Sequence, residues 1–257
     1  MLASGERYVD EGPKNWELFS QHVGRYLFAR PYVAGRVVLD AACGTGYGTA
    51  MLAEQAKIVV GIDSCREAIT YSIRHHRRPN VRCLLMNCGE LGLRANSFDA
   101  VISFETLEHL HDMKSFLQEV RRVLKPAGTL LISTPNRPLY AVYNKGKRNT
   151  YHCMELDERE FRALLGEYFT VETVWGQRHF APRDLPLMQS FADQTVPTGP
   201  DGLIRRVLRV ALRTCLSELV RSRFLVAAQI WANKCSIGEV PPSHGVYMIA
   251  LVKKPVS

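Results

Sequence analysis

Apolar residues fall along this chain in two rhythms, and their alternation predicts the fold. Apolar-rich runs at 37–39, 58–62, 81–86, 98–104 and 129–134 have the length and composition of strands buried on both faces, as in a parallel sheet. Three of them close on a polar side chain: Asp40, Asp63 and Asn87. Helical segments separate the runs. Residues 49–54 have helical composition, Ser64 with Glu67 reads as a capping box opening the next helix, and 113–124 reads as another. Lys125-Pro126-Ala127-Gly128 predicts a turn into the 129–134 strand. Upstream, Trp16, Phe19, His22, Val23, Tyr26 and Leu27 recur at helical spacing until Pro31, which predicts a helix laid across the sheet. Downstream, 137–148 reads as a polar, basic loop. Residues 158–169 predict an amphipathic helix capped by Asp157, and 171–175 and 246–252 predict two further strands, the last at an antiparallel edge.

Strand–helix alternation of this kind defines an α/β, doubly wound, Rossmann-like sheet, and the strands number seven. Residues 177–244 exceed any ordinary loop and predict a helical insertion or lid before the last strand. The expected organisation is therefore an N-terminal helical cap over 1–31, one sheet domain over 32–176 and 245–257, and the insertion. Within the insertion, 203–224 carries an apolar stripe (Ile204, Val207, Leu208, Ala211, Cys215, Leu219) and six arginines against the single acid Glu218. A lid over an acceptor pocket, an interfacial helix on anionic membrane and a solvated basic face all fit that pattern.

Composition narrows the picture modestly. Hydrophobic residues make up 46% of 257 residues, enough for a full core, which excludes wholesale disorder. A net charge of +8 keeps nucleic acid and anionic membrane among candidate partners without identifying either. The start of the chain lacks an apolar h-region, and seven cysteines occur with no C-x-x-C pair, so the expected setting is cytoplasmic with reduced thiols.

The candidate chemistry begins at Asp40-Ala41-Ala42-Cys43-Gly44-Thr45-Gly46-Tyr47-Gly48. A strand, a glycine turn and a helix bring backbone N–H groups to a ligand, and a carboxylate about twenty residues on, Asp63, suits a ribose. A dinucleotide fingerprint needs G-x-G-x-x-G. Here the glycines are spaced G-x-G-x-G, Thr49 takes the third fingerprint position, and no basic residue in the loop meets phosphate. The stretch resembles motif I of class I S-adenosylmethionine (SAM)-dependent methyltransferases, an acid followed by three residues and G-x-G. The Lys-Pro-x-Gly turn extends that resemblance over residues 36–134. The resemblance implies SAM as cofactor, with Asp40 near its methionine end, Asp63 at the ribose, Asn87 at the adenine amino group, and Ser64 and Cys88 among the further cofactor contacts. Asn87 stands where the family usually has Asp, and its amide oxygen can still accept. Gly44, Gly46, Tyr47 and Phe104 complete the implied contacts. Arg25 or Tyr26 could reach the cofactor carboxylate from the N-terminal helix, or simply pack there.

After the fourth strand, Glu105, Glu108 and His109 stand at i, i+3 and i+4, on one face if the segment is helical. With the later His152 they resemble the metal site of small-RNA 2′-O-methyltransferases, and the first half also resembles ubiquinone-pathway O-methyltransferases. Mixed O/N ligation suits Mg²⁺, Mn²⁺, Fe²⁺ or Zn²⁺. The same residues occur in relatives without metal, where the histidine acts as general base, so Glu105 and His109 are also candidate catalytic residues. The implied activity is O-methylation of a small hydroxylated acceptor: a sugar, a quinone precursor or a natural-product intermediate. RNA ribose methylation and a non-catalytic SAM-binding subunit are the alternatives; no basic–aromatic module for gripping RNA is evident.

Overall fold

The computed structural model describes residues 16–147, 149–177 and 246–256, with side chains from Gln21 onward. The chain divides into two compact units, one of Met1–Asp10, Arg25–Arg178 and Ser236–Ser257 and the other of Glu11–Gly24 and His179–Cys235. The first carries the sheet. Of the second, the described part is the opening of the first helix. Apart from Gln177, the proposed insertion over 177–244 with its arginine-rich 203–224 segment, and the first half of the N-terminal cap, lie outside the described residues.

Helix α1 is Trp16–Val33. It runs two residues past Pro31, because a proline in the last turn removes one backbone bond without clashing hard enough to end the helix there. The strands are β1 (Val37–Ala41), β2 (Ile58–Asp63), β3 (Val81–Leu85), β4 (Phe98–Phe104), β5 (Leu124–Pro135), β6 (Thr170–Gln177) and β7 (Tyr247–Lys253). Helices α2 (Tyr47–Leu52), α3 (Arg66–His75), α4 (Met113–Val123), α5 (Arg137–Tyr143) and α6 (Glu158–Gly166) connect them. The sheet order is β3-β2-β1-β4-β5-β7-β6, with β1 to β5 parallel and β7 antiparallel to both neighbours. Strand order reverses between β1 and β4, so a crevice opens beyond their carboxyl ends.

Each local choice has a sequence cause. In α4, Met113, Phe116, Leu117, Val120 and Val123 are buried at helical spacing, while Asp112 accepts from the Ser115 N–H at 2.9 Å as N-cap. Those side chains pack with Leu39, Val101, Leu130 and Ile132 of the central strands in one core. Helix α6 starts at the expected N-cap, Asp157, which closes a capping box with Glu160.

Four expectations are corrected. Ser64 does not cap α3: the N-cap is Cys65, and Asp63 Oδ1 accepts the Cys65 N–H at 2.8 Å. Strand β7 is not the sheet edge; it lies between β5 and β6 and is laddered on both sides. The 125–128 turn is a bulge within β5, with Ala127 at φ 58° and pairing resumed at Thr129. Residues 137–143, expected as loop, form α5, with a proline in the first turn.

Candidate active site

The glycine turn is held from below. Asp40 is completely buried, with Oδ1 accepting from Tyr26 Oη at 3.2 Å and Oδ2 from Thr49 Oγ1 at 2.6 Å. Burial pushes its carboxyl up to about 7, against the opposing effect of those two hydrogen bonds. Asp40 thus clamps α1 and α2 to the end of β1, and both its oxygens are engaged within the protein. Tyr26 is likewise structural: its ring meets Tyr47 and Phe104 edge-on at 5.7 and 5.2 Å between centroids. The glycines divide by task. A Cβ at Gly48 would lie 2.0 Å from Tyr26 Cζ and one at Gly46 would lie 1.9 Å from Ser72 Oγ, so both serve helix packing. Gly44, at φ 55°, has open space where a Cβ would stand.

Asp63 Oδ2 accepts the Gly44 N–H at 2.9 Å, tying the loop after β1 to the loop after β2. Asn87 lies exposed beyond β3, its Oδ1 accepting from the Gly89 N–H at 2.9 Å, and Ser64 is exposed. The Cys88 thiol lies in the core, and burial pushes it up to about 12.

Arg25 is the other buried polar anchor. Its guanidinium has no exposure; Nε donates to Gln177 Oε1 at 2.8 Å, Nη1 lies 3.7 Å from Glu105 Oε1, and Cζ sits 4.3 Å above the Tyr247 ring. Neither Nη1 nor Nη2 has a hydrogen-bond partner. A buried guanidinium left this way is costly unless an anion completes it. Gln177 and Tyr247 carried no sequence signal, since they arrive from β6 and β7, far along the chain.

Beyond β4 the chain does not form the helix that would align Glu105, Glu108 and His109. Glu105 takes φ 52° and only Leu107–His109 turns, as one turn of 3₁₀ helix. Glu105 therefore swings toward Ser133, whose Oγ donates to Oε1 at 2.7 Å, and toward Arg25. The four-ligand set is corrected accordingly: the groups that converge are Glu108, His109 and His152, with one donor atom of each within 4.8 Å of the others.

The 149–156 segment delivers His152 by docking on the 3₁₀ turn. The Cys153 and Met154 N–H groups donate to Glu108 O at 2.6 and 3.3 Å, and the Arg137 N–H donates to Leu156 O at 2.9 Å. Each imidazole is oriented by an oxygen at Nδ1. That of His109 lies 3.1 Å from Tyr151 O, and that of His152 lies 2.7 Å from Glu155 Oε1. A carbonyl or carboxylate can only accept, so both Nδ1 atoms carry hydrogen, and in a neutral ring the lone pair then falls on Nε2. The His152 lone pair accepts from Asn149 Nδ2 at 3.0 Å. Glu108 is buried; Thr134 Oγ1 donates to Oε2 at 3.1 Å, while Oε1 has no partner. Burial, with the Glu105 charge adding to it, pushes the Glu108 carboxyl well above the usual carboxylate range.

A seven-stranded sheet of this order, with a glycine turn and an acid at the first two strand ends, defines a class I methyltransferase. Comparison with known proteins gives the same answer. A family described as "Methyltransferase domain" matches residues 39–132. A "Probable S-adenosylmethionine-dependent methyltransferase" of Mycolicibacterium smegmatis is 35% identical over 179 residues, covering 69% of each chain. A ubiquinone biosynthesis O-methyltransferase of Haemophilus ducreyi is 34% identical over 116 residues, 42% of this chain and 48% of its own. Among solved structures, the YcgJ protein of Bacillus subtilis superposes with a TM-score of 0.57 at 16% identity, covering 92% of this chain and 99% of its own. The [4+2]-cyclase SpnF matches with a TM-score of 0.58 at 18% identity over 93% of this chain and 82% of its own. The chain belongs to the SAM-dependent methyltransferases.

Proposed function

We propose that this methyltransferase transfers the methyl group to oxygen, on a small hydroxylated acceptor, at the Glu108–His109–His152 cluster. The observation that carries the reading is the convergence of Glu108, His109 and His152 after β4, one donor atom of each within 4.8 Å of the others. The similarity to a ubiquinone biosynthesis O-methyltransferase supports oxygen as the acceptor atom.

The residues fit the cofactor. Gly44 leaves open space where a Cβ would stand, Asp63 stands at the end of β2 for the ribose, and the Arg25 Nη1 and Nη2, without hydrogen-bond partners, suit a carboxylate. When bound, SAM supplies an electrophilic methyl group. What remains for the protein is alignment and removal of one proton. His109 Nε2 holds an acceptor hydroxyl and takes its proton, while the Tyr151 carbonyl keeps the ring in the tautomer that can do so. Glu108 and His152 fix the hydroxyl from the other sides.

The same donors fit a divalent cation, which Glu108, His109 and His152 would hold. One carboxylate and two imidazoles, each with its Nδ1–H held by an oxygen, form a usual donor set for Mn²⁺, Fe²⁺ or Zn²⁺, and less so for Mg²⁺. Such an ion supplies Lewis acidity that lowers the pKa of a bound hydroxyl.

The test is methyl transfer from labelled SAM to a panel of catechols, sugars and a small RNA, with the methylated atom assigned by mass spectrometry. The proposal expects an O-methylated small molecule. Methylation of RNA ribose alone would replace the acceptor class, and tight SAM binding without transfer to any hydroxyl would favour a binding subunit.

A further inference from the structure

Strand β3 is an edge of the sheet: β2 lies on one side and, among the described residues, nothing pairs with the other. Its ladder shows which backbone groups face outward. The Val59 N–H donates to Asn80 O and the Met86 N–H donates to Asp63 O, so the even positions from 80 to 86 bond β2. The backbone groups of the alternate residues then point away, which puts the N–H and C=O of Cys83 and Leu85 on the open edge. Natural edges are blunted with charge, proline or a covering segment. Here the outward stretch carries Leu84 and Leu85, 40% and 43% exposed, on opposite faces of the strand. Charge gathers just before it. Arg74, Arg77, Arg78 and Arg82 are all exposed, and the sequence holds no acid between Glu67 and Glu90. They share one patch because the end of α3, the turn and the start of β3 are bonded together. The His76 N–H donates to Ser72 O, the Val81 N–H donates to Arg78 O, and Ser72 Oγ lies 3.1 Å from Cys83 Sγ. Arg82 Nη1 donates to Val81 O at 2.8 Å and Pro79 O at 3.0 Å, which seats its guanidinium on the outer edge where β3 begins. Arg78 shares Glu54 with Arg30, while Arg74, Arg77 and Arg82 make no ion pair among the described residues.

We propose that the outer edge of β3 accepts an added strand from a partner protein: an extended segment with carboxylates at one end, over the arginines, and apolar side chains at the other, against Leu84 and Leu85. Main-chain bonds at Cys83 and Leu85 supply affinity, and the arginines select the charge of the segment. The position speaks for a partner rather than a substrate. Because β1, β2 and β3 are parallel, the arginines at the start of β3 lie at the end of the sheet opposite Gly44, Asp63 and Asn87. A second copy of the chain fits less well, since pairing β3 with β3 would bring two arginine patches to one seam with no acid between them.

The test uses the full chain, isotope-labelled for amide NMR, with two synthetic peptides that place the acids at either end: Ac-Glu-Asp-Glu-Thr-Val-Leu-Val-amide and Ac-Val-Leu-Val-Thr-Glu-Asp-Glu-amide. Counterparts with lysine in place of each acid are the charge controls. At least one acidic peptide should shift the Cys83 and Leu85 amide signals and slow their hydrogen exchange, because outward N–H groups acquire acceptors. Its lysine counterpart should bind about tenfold more weakly or worse. Arg74→Glu/Arg77→Glu protein, altered only at exposed positions that make no ion pair, should lose about tenfold in affinity for the acidic peptide and keep its SAM affinity. The proposal fails if neither acidic peptide moves the β3 amides, or if the lysine counterparts bind as well. It fails equally if a single-stranded RNA binds the arginines more tightly than either peptide and leaves the Cys83 and Leu85 amides unprotected, which would make the patch a nucleic-acid site. A dimer in sedimentation that Leu85→Lys abolishes would also overturn it, by showing that β3 pairs with itself.

Discussion

Ala42 holds a backbone φ of 61° at the end of β1, in a region that costs an L-residue about 1–2 kcal/mol. Glycine removes that strain at some cost in unfolded-chain entropy, so Ala42→Gly should stabilise the protein by about 0.5–1 kcal/mol in chemical denaturation. Two residues earlier, Asp40 makes a pH-dependent contribution. Its carboxyl titrates at about 7 in the folded state and near 3.8 when unfolded. Between those values the unfolded chain has shed a proton that the folded chain keeps, so this group makes stability fall as pH rises through the window. Asp40→Asn keeps an acceptor for Tyr26 and removes the titration. Its unfolding free energy should be flatter from pH 4 to 8 than that of the unaltered protein, with a difference of no more than about 4 kcal/mol, three pH units at about 1.4 kcal/mol each. Parallel pH profiles would count against the assignment.

At the scale of elements, α1 is seated on α2 through the missing side chain of Gly48. Gly48→Ala would set a methyl 2.0 Å from the Tyr26 ring, and the overpacking should cost about 1–3 kcal/mol, read as a lowered denaturation midpoint. The elements that build this half of the molecule were legible because their signals are local: apolar runs for β1 to β5, the spacing in α4, the Asp157 cap. What escaped depended on distant partners. Nothing near 246–252 says that it will insert between β5 and β6, because a central antiparallel strand and an edge strand share the same apolar pattern. The E-x-x-E-H spacing suggested one helical face, but a left-handed Glu105 bonded to Ser133 broke the helix there. Three of the four proposed ligands still converge, since His152 is delivered by backbone bonds to Glu108 O that no motif encodes.

For the whole molecule, the site joins the two halves of the sheet. The glycine turn and Asp63 come from the β1–β2 side, whereas Arg25 is oriented by Gln177 of β6 and Tyr247 of β7. On the reading that Arg25 completes the cofactor carboxylate, Arg25→Met should weaken SAM binding about ten- to hundredfold by calorimetry, the loss expected for charge-assisted hydrogen bonds of about 1.5–3 kcal/mol. No helix among the described residues is long and apolar enough to cross a membrane. The central claim is that Glu108, His109 and His152 act as one centre. It is tested most directly by comparing the unaltered protein with His152→Ala after chelator treatment and add-back of Mn²⁺, reading ion content and methyl transfer together. The account predicts that chelated protein retains its SAM affinity, loses transfer and recovers it with one bound ion, and that His152→Ala neither holds the ion nor regains transfer on add-back. Full transfer by chelated His152→Ala protein would contradict it.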